Sequence, residues 1–311
     1  MYKLIFLLLF SFLLTTFLIK KLIPVLDKRL IDKPNKRSSH KIPTPKGGGI
    51  SFVIVSSIFS FLNGNYNLLF LIPISFLGLM DDKYNLPRNI RYLIQFLTSL
   101  IFIFSSQLFL ESFYNQNLIL LILLFFVFTF LASGIINFVN FMDGIDGLVA
   151  GCMTVLISYS AFFIDINLLI IAVSIFAFLI WNWSPAKLFM GDIGSLFLGG
   201  LFVYILSKSQ SWELLFSLFM ISTPLILDPL FCLYKRFKSK KNIFNPHREH
   251  LYQRMNQFGL SHSLVSSIYI FVTLLLALFH YLGGIKLLFV GLLLELITGF
   301  FANKFCAMTC K

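Results

Sequence analysis

Residues 118–151 read LILLILLFFVFTFLASGIINFVNFMDGIDGLVAG, a long apolar run that changes abruptly into a polar segment. A helix needs about 20 apolar residues to span a bilayer, and the apolar part of this stretch is long enough. Two amides and two carboxylates then follow at intervals of three residues: Asn137, Asn140, Asp143 and Asp146. This interval places the four side chains on one side of a helical turn. The stretch therefore predicts a transmembrane helix that ends in a polar site at the membrane surface.

The composition extends this prediction to the whole chain. Of its 311 residues, 58% are hydrophobic, 39 are Phe and only 12% are charged, which leaves too little polar surface to close a soluble globule. We expect an all-α, polytopic membrane helix bundle that forms one domain over residues 1–311. Eleven transmembrane helices are predicted, or ten if 68–80 does not span: 2–23, 47–62, 68–80, 93–110, 118–140, 148–164, 167–183, 193–207, 212–234, 263–282 and 285–305.

The basic residues indicate which ends of these helices face the cytoplasm. A net charge of +12 would suggest nucleic acid as the partner of a soluble protein, but here the charge follows membrane topology. If the spans alternate, one side receives every Lys and Arg except Lys3, Lys208 and Lys286. The positive-inside rule makes that side cytoplasmic. We therefore expect a multi-pass protein of the inner (plasma) membrane, with its N-terminus outside, its C-terminus in the cytoplasm and no nucleic-acid partner.

Acidic residues are rare, and they are concentrated at the predicted cytoplasmic ends. Five of the thirteen are Asp81, Asp82, Asp143, Asp146 and Asp192, which lie where long apolar runs stop. A carboxylate is unfavourable by up to ~2.5–3.5 kcal/mol at the centre of a membrane helix. Because five such groups would be a costly structural device, we interpret them as a functional site.

Five cytoplasmic loops carry the polar residues and are expected to form the active surface: 24–46, 81–92, 137–147, 184–195 and 235–262. The first contains KRSSHKIPTPKGGG, which combines cations with glycines directly ahead of a predicted helix, where phosphate binds well. Taken alone, this segment is also typical of a basic stretch that binds anionic lipid. The second opens with Asp81 and Asp82 and continues with Arg88 and Arg91, a combination that suits Mg²⁺ and anionic substrate oxygens. A bare Asp pair can also cap a helix.

The fourth loop supplies the fifth carboxylate and an aromatic surface. Asp192 lies between Gly191 and Gly194 in the sequence FMGDIGS. Asn182 and Phe189 lie upstream of Asp192. Their proximity to Asp192 in the sequence makes Asn182 a candidate to hydrogen-bond a nucleotide base and Phe189 a candidate to stack on it. The two tryptophans of this loop are more typical of the aromatic belt at a membrane interface.

The fifth loop contains HREHLYQR, in which His247 and His250 share one helix face. Arg248 and Arg254 lie beside them, and clusters of His and Arg bind phosphate. The two histidines with Glu249 also suggest zinc, but no third ligand follows at a suitable spacing, so zinc is the less favoured interpretation. The four cysteines lack CxxC spacing, and we expect neither a disulfide nor a cysteine-based zinc site.

Together the loops predict phosphoryl transfer at the membrane surface, a reaction that depends on positioning and on charge neutralisation by Mg²⁺ and cations. The chain has no GxxxxGK[ST] motif, so ATP hydrolysis is not indicated. Two other classes are weighed against an enzyme. A secondary transporter of an anionic solute would place its charges near the membrane midplane rather than at the cytoplasmic ends. A lipid-binding scaffold would not need the carboxylates of DGIDG and GDIGS.

The motifs also resemble those of a known enzyme family. SSHKIPTPKGGG, the DD pair with LPRNIRYLIQF, NFMDGIDGL, FMGDIGS and HREHLYQR have the order and similar separations found in the polyprenyl-phosphate N-acetylhexosamine-1-phosphate transferases, membrane enzymes of the glycosyltransferase family 4 type. The resemblance spans nearly the whole chain. It implies transfer of an N-acetylhexosamine 1-phosphate from a UDP-sugar to undecaprenyl phosphate, with release of UMP. It also implies dependence on Mg²⁺, with Mn²⁺ as an alternative.

The resemblance implies roles for individual carboxylates. Asp81, Asp82 and Asp192 correspond to catalytic residues of the family, and Asp82 and Asp192 are expected to hold the metal. A phosphate monoester, with a second pKa near ~6, is largely a dianion at neutral pH. A strong general base is therefore not needed, and we expect Asp81 to orient the lipid phosphate.

Further residues correspond to substrate contacts of the family. The nucleotide-sugar contacts implied by the resemblance are Lys41, Asn137, Asn140, Asp143, Asp146, Asn182 and Phe189. His247 and His250 correspond to a late histidine motif near the pyrophosphate. The arginines expected to bind phosphate or substrate are Arg91, Arg248 and Arg254.

The late motif also bears on the donor sugar. The three consecutive histidines of the phospho-N-acetylmuramoyl-pentapeptide transferases are absent, although that activity is kept as an alternative. HREHLYQR is similar to the branch that initiates O-antigen in lipopolysaccharide biosynthesis, whose donors carry N-acetylglucosamine or a 6-deoxy hexosamine. The sequence leaves open which hexosamine is used, and whether the chain forms a homodimer.

Overall fold

The computed structural model describes residues 2–34, 39, 42–242 and 247–308 and confirms the all-α fold. Two short strands, β1 (Ile31–Asp32) and β2 (Thr44–Pro45), pair antiparallel beside the bundle, a small element that the sequence did not predict. A 3-10 helix covers Tyr66–Leu71. The α-helices of the described residues are α1 (Tyr2–Arg29), α2 (Ile50–Leu62), α3 (Ile72–Tyr84), α4 (Arg88–Phe104), α5 (Gln107–Phe113), α6 (Leu118–Phe141), α7 (Leu148–Ala161), α8 (Leu168–Asn182), α9 (Gly191–Ser207), α10 (Trp212–Ile221), α11 (Thr223–Lys238), α12 (Leu251–Gln257) and α13 (His262–Met308).

Each predicted span coincides with one helix or with two consecutive helical segments. The helices of the pair α4 and α5 meet at 67°, and those of the pair α10 and α11 meet at 72°. In α13 the backbone leaves helical geometry at Gly283 and Gly284, and the chain turns back so that Gly291 lies against Phe279. Hydropathy shows where a chain is apolar but not where its axis changes direction. The bends between α4 and α5 and between α10 and α11 could therefore not be predicted.

The membrane character of the chain follows from its long apolar helices. In the described residues, three helices are long and apolar enough to cross a membrane: α1, α6 and α13. The number rises to five if each bent pair is one span, and four further apolar helices are shorter: α2, α7, α8 and α9. The chain is therefore a helical membrane protein. The count of eleven spans and the orientation of the termini stay predictions.

The helices extend beyond the apolar runs, so the loops are shorter than expected. α1 continues to Arg29, inside the predicted loop 24–46, and the predicted loop 235–262 contains the end of α11 and all of α12. The predicted loops 81–92, 137–147 and 184–195 likewise include the ends of α3, α6 and α9. Lys and Arg form helix about as readily as Leu. A fall in hydropathy therefore marks the end of an apolar run, not of the helix.

The helix α9 is the centre of the bundle. It is buried from Ile193 to Ser207 and packs against α3, α4 and α6. A helix that is apolar on all sides is either surrounded by other helices or exposed to lipid, and α9 is of the first kind. Since only its first turn carries an acidic residue, Asp192, this packing fixes one carboxylate at the end of the most buried helix.

Candidate active site

Backbone hydrogen bonds join the first and fourth predicted loops. Phe189 N donates to Pro45 O at 2.9 Å, Gly48 N donates to Phe189 O at 2.9 Å, and Gly49 N donates to Met190 O at 2.9 Å. These bonds hold the glycines ahead of α2 against the segment that enters α9. Lys46 and Asp192, far apart in sequence, are thereby brought to the same cavity.

Gly191 allows the close approach that completes this junction. Its φ of +74° is in the left-handed region, and a Cβ there would lie 2.5 Å from Asp82 Oδ2 and 2.9 Å from Gly47 N. Any side chain would therefore collide with a carboxylate and with backbone. The approach lets Ile193 N donate to Asp82 Oδ2 at 3.4 Å, which ties the end of α3 to the start of α9.

A cavity of about 430 Å³ lies at this junction. It brings together most of the residues predicted to form the site, including carboxylates from three separate regions of the sequence. Its walls are formed by Asp32, Ser39, Lys46, Asp81, Asp82, Asn85, Leu86, Arg91, Asp143, Gly144, Ile145, Asp146, Asn182, Phe189, Gly191, Asp192, Gln253 and His262.

The adjacent carboxylates Asp81 and Asp82 have different partners. Both oxygens of Asp81 are engaged, because Arg91 donates to Oδ2 at 2.7 Å and Leu86 N donates to Oδ1 at 2.6 Å. Asp81 is buried while the Arg91 side chain is 33% exposed, so their ion pair is partly shielded from salt and water. Asp82 instead lies 3.4 Å from the Nζ of Lys46. The arrangement uses Asp81 to hold Arg91 at the cavity wall and directs Asp82 toward α9.

One amide orients Asp192. Asn140 Nδ2 donates to Asp192 Oδ1 at 2.9 Å and to Ser195 Oγ at 2.8 Å. Asn137 and Asn140 both line a second cavity of about 30 Å³, which also contacts Asp192 and Arg91. The two predicted asparagines therefore lie behind Asp192, where one of them fixes its rotamer.

The carboxylates repel one another, and this affects their protonation. Burial raises the pKa of Asp143 to about 8, and the nearby carboxylates of Asp192, Asp82 and Asp146 add to the rise. A cation between these groups would favour their ionised forms. Mg²⁺ takes oxygen ligands and usually combines one or two carboxylates with water and phosphate oxygens. The donor set fits Mg²⁺, with Asp82 and Asp192 as the residues that would hold it.

The opposite wall is built around Asn182 and Asp146. Asn182 Nδ2 donates to Leu188 O at 3.0 Å, and its Oδ1 accepts from Gly147 N at 3.0 Å. The side chain thus fixes the DGIDG turn to the fourth loop, while one N–H and one lone pair stay available to a ligand. Asp146 Oδ2 accepts from Ala186 N at 3.2 Å. Phe189 also lines this wall.

Several predicted site residues do not line the cavity. Arg254 donates to the carbonyl of Asn303 at 2.9 Å and to its side chain, which binds it to α13. Arg248 contacts Ser39 Oγ at 3.5 Å. His247 and His250 lie instead beside Cys232 on α11. Their predicted contacts with phosphate stay predictions. The predicted nucleotide contact Lys41 lies outside the described residues.

The cavity also contains side chains that sequence reasoning missed. His262 Nδ1 lies 3.2 Å from Asp146 Oδ2, and both side chains are largely buried. Gln253 lies on the same wall. His262 is a single histidine at a helix start and carries no spacing signal. Gln253 belongs to HREHLYQR, where a single uncharged amide among charged residues gives no signal of a site.

Comparisons with known proteins identify the family of this chain. Residues 65–210 match the family model described as Glycosyl transferase family 4. The chain is 30% identical over 259 residues to a Bacillus subtilis protein named "Probable undecaprenyl-phosphate N-acetylglucosaminyl 1-phosphate transferase", covering 75% of this chain and 72% of that protein. It is 31% identical over 249 residues to the undecaprenyl-phosphate alpha-N-acetylglucosaminyl 1-phosphate transferase of Thermotoga maritima, covering 77% and 79%. It is also 30% identical over 312 residues to the phospho-N-acetylmuramoyl-pentapeptide-transferase of Prochlorococcus marinus, covering 86% and 82%.

Proposed function

Because this chain belongs to the polyprenyl-phosphate N-acetylhexosamine-1-phosphate transferase family, we propose that it transfers N-acetylhexosamine 1-phosphate from a UDP-sugar to undecaprenyl phosphate and releases UMP. The observation that carries the proposal is the cavity itself. Its lining combines Asp82, Asp192 and Lys46 with Arg91, Asp146 and Phe189. Carboxylates for a metal, cations for phosphate and an aromatic ring for a base support a reaction between a phosphate acceptor and a nucleotide.

The wall at α3 and α4 suits the lipid phosphate. Arg91, fixed by Asp81, presents a guanidinium that can bind phosphate oxygens in a bidentate manner. Both oxygens of Asp81 accept hydrogen bonds from the protein, and we assign Asp81 to positioning Arg91 rather than to removing a proton. The acceptor phosphate is already largely a dianion at neutral pH, since its second pKa lies near ~6.

The wall at α8 and the DGIDG turn suits the nucleotide. Phe189 offers a ring for stacking, and Asp146 with His262 offers an acceptor and a donor for the edge of the base. Asn182 keeps the turn and the fourth loop at a fixed distance. Lys46 lines the cavity 3.4 Å from Asp82, where its ammonium group can neutralise phosphate charge.

Mg²⁺ held by Asp82 and Asp192 would supply charge neutralisation for the two phosphate groups. Asn140 and Ser195 keep the Asp192 carboxylate aimed at the cavity. Mn²⁺ has the same preference for oxygen ligands and could replace Mg²⁺.

The donor and the biological step are proposed from the motif and the relatives together. Undecaprenyl-phosphate N-acetylglucosaminyl 1-phosphate transferases are among the relatives. The late HREHLYQR motif favours the branch that starts O-antigen or another cell-surface polysaccharide, with N-acetylglucosamine or a 6-deoxy N-acetylhexosamine as the sugar. A phospho-N-acetylmuramoyl-pentapeptide transferase is the second candidate, because such enzymes are also among the relatives. The active site is proposed to lie on the cytoplasmic face of the inner membrane, because the UDP-sugar is made in the cytoplasm.

Labelled donors test the reaction directly. Membranes that contain the chain, incubated with undecaprenyl phosphate and radiolabelled UDP-N-acetylglucosamine, should pass label into the butanol phase with Mg²⁺ but not with EDTA. Asp192→Asn should reduce this at least about 100-fold, because it weakens the proposed metal site that would neutralise the phosphate charge. Glu111→Gln is the matched control, since Glu111 is exposed on α5 and bonds only to Gln107 among described contacts.

Near-normal release of UMP by a folded Asp192→Asn variant would remove this residue from the mechanism. Label that crosses vesicles unchanged, with none in the butanol phase, would identify a transporter instead. A panel of UDP-N-acetylhexosamines and the UDP-N-acetylmuramoyl-pentapeptide then identifies the sugar by the donor with the highest kcat/KM.

A further inference from the structure

Cys232, His247 and His250 form a compact cluster outside the cavity. Their three ligand atoms all lie within 4.8 Å of one another. Cys232 Sγ is 3.9 Å from His247 Nδ1, and the two imidazole rings are 5.0 Å apart between centroids. None of the three lines the cavity that holds the carboxylates. The cluster therefore needs an explanation separate from the proposed transfer reaction.

Burial makes this cluster unusual. Cys232 and His250 are each 5% exposed, while His247 is half-buried at the edge of the cluster. Within the described part of the chain, Nδ1 of His250 has no hydrogen-bond partner. Its nearest acidic neighbour, Asp228 Oδ1, lies at 3.6 Å, too far for a hydrogen bond. A buried imidazole nitrogen without a partner is unfavourable unless another group binds it.

Asp228 fixes the geometry around His250. Its Oδ1 accepts from Leu251 N at 2.7 Å, and its Oδ2 accepts from Tyr252 N at 3.0 Å and from the hydroxyl of Tyr269 at 2.7 Å. These bonds hold the first turn of α12 against α11, so His250 is held beside Cys232. Asp228 therefore positions His250 through the backbone of the two residues that follow it.

We propose that Cys232, His247 and His250 bind a zinc ion that joins α11 to the segment ahead of α12. One thiolate and two imidazoles are ligands that zinc prefers, whereas Mg²⁺ takes oxygen. On binding, the Cys232 thiol loses its proton to solvent, and zinc accepts the sulfur lone pair and one nitrogen lone pair from each histidine. The fourth position, on the half-exposed side of His247, takes water.

The sequence argued against zinc because HxxH with Glu249 lacks a third ligand of suitable spacing. The fold supplies that ligand from Cys232 on α11, which packs against α12. Spacing in the sequence could not show this. The proposal gives His247 and His250 a metal as partner in place of the pyrophosphate expected from the resemblance. It does not depend on the proposed transfer reaction.

Metal content tests the proposal without any substrate. The detergent-purified chain is equilibrated with zinc, passed through a desalting column and analysed by plasma mass spectrometry. We expect about one zinc per chain. Cys232→Ser and His250→Gln should lose it. Cys152→Ser is the matched control, since Cys152 is also buried but lies on α7, outside the cluster.

Cobalt gives a second readout of the same ligands. Cobalt-loaded wild type and Cys152→Ser should show a thiolate-to-cobalt charge-transfer band, and Cys232→Ser should not. Size-exclusion profiles identify any variant that is misfolded. If a variant is misfolded, the presence or absence of the cobalt band in the wild type decides whether the proposal stands. Equal zinc in folded Cys232→Ser, or a wild type that retains no zinc and shows no thiolate band with cobalt, would overturn the proposal.

Discussion

His262 illustrates how a single side chain can belong to the site without a motif. It faces Asp146 Oδ2 at 3.2 Å, on the cavity wall where the proposed nucleotide lies. The carboxylates of DGIDG and GDIGS were predicted as site residues because acidic residues are rare in this chain and these lie where apolar runs end. His262 was not predicted, because one histidine at a helix start has many uses. Only the packing of α13 against α7 brings it to the cavity.

Replacing His262 should weaken donor binding selectively. A lost hydrogen bond is worth about 0.5–1.5 kcal/mol. For His262→Gln we therefore expect the KM for the UDP-sugar to rise roughly 2–10-fold, with the KM for undecaprenyl phosphate unchanged. Steady-state kinetics with each substrate varied in turn measures both values.

His280→Gln is the control for this change. His280 also lies on α13, where it contacts the Tyr159 hydroxyl at 2.6 Å, and it does not line the cavity. The variant should keep both KM values. A His262→Gln enzyme that loses affinity for the lipid and not for the nucleotide would reverse the assignment of the two walls.

At the scale of elements, the contact between α3 and α9 determines where the carboxylates meet. α3 ends in the Asp pair and α9 begins at Asp192, and the two helices pack through Gly78. A Cβ at Gly78 would lie 2.4 Å from the Asp192 carbonyl oxygen. The existence of both helices follows from hydropathy. Their contact does not, because hydropathy carries no information about which helices are neighbours.

Gly78→Ala should therefore destabilise the protein. Inserting a methyl group into a packed contact is unfavourable by about 1–3 kcal/mol, and here it also displaces Asp192. We expect a lower apparent Tm in detergent and a lower kcat. Gly134→Ala on α6 is the matched control, because nothing lies within 4 Å of a Cβ there and Ala favours a helix over Gly. Equal Tm and kcat in the two variants would contradict the proposed role of this contact.

At the scale of the molecule, the distribution of charge predicts which face meets the cytoplasm. The cavity, the DGIDG turn and α12 lie among the segments that carry almost all Lys and Arg. The sequence predicted this shared surface, since motifs and positive charges were assigned to the same loops independently. It could not predict that the first and fourth loops are joined by their backbones, because such bonds do not depend on side-chain type.

Cysteine labelling tests the orientation. Asn115→Cys lies between α5 and α6, on the predicted outer side, and Lys240→Cys follows α11, on the predicted inner side. Both positions are exposed. With the four native cysteines changed to Ser, a membrane-impermeant maleimide should label Asn115→Cys in spheroplasts and Lys240→Cys only after lysis. The opposite pattern would place the cavity outside the cell.

The three backbone bonds between residues 45–49 and 189–190 also bear on the order of assembly during synthesis. The two segments are far apart in the chain. The ribosome must therefore deliver α8 to the membrane before residues 45–49 can bond to residues 189–190. Until then, an unfinished chain holds Lys46 and Asp82 without Asp192. Sugar nucleotides would meet no competent pocket on such a nascent chain, so activity should start only after α9, whose first turn carries Asp192, has been inserted.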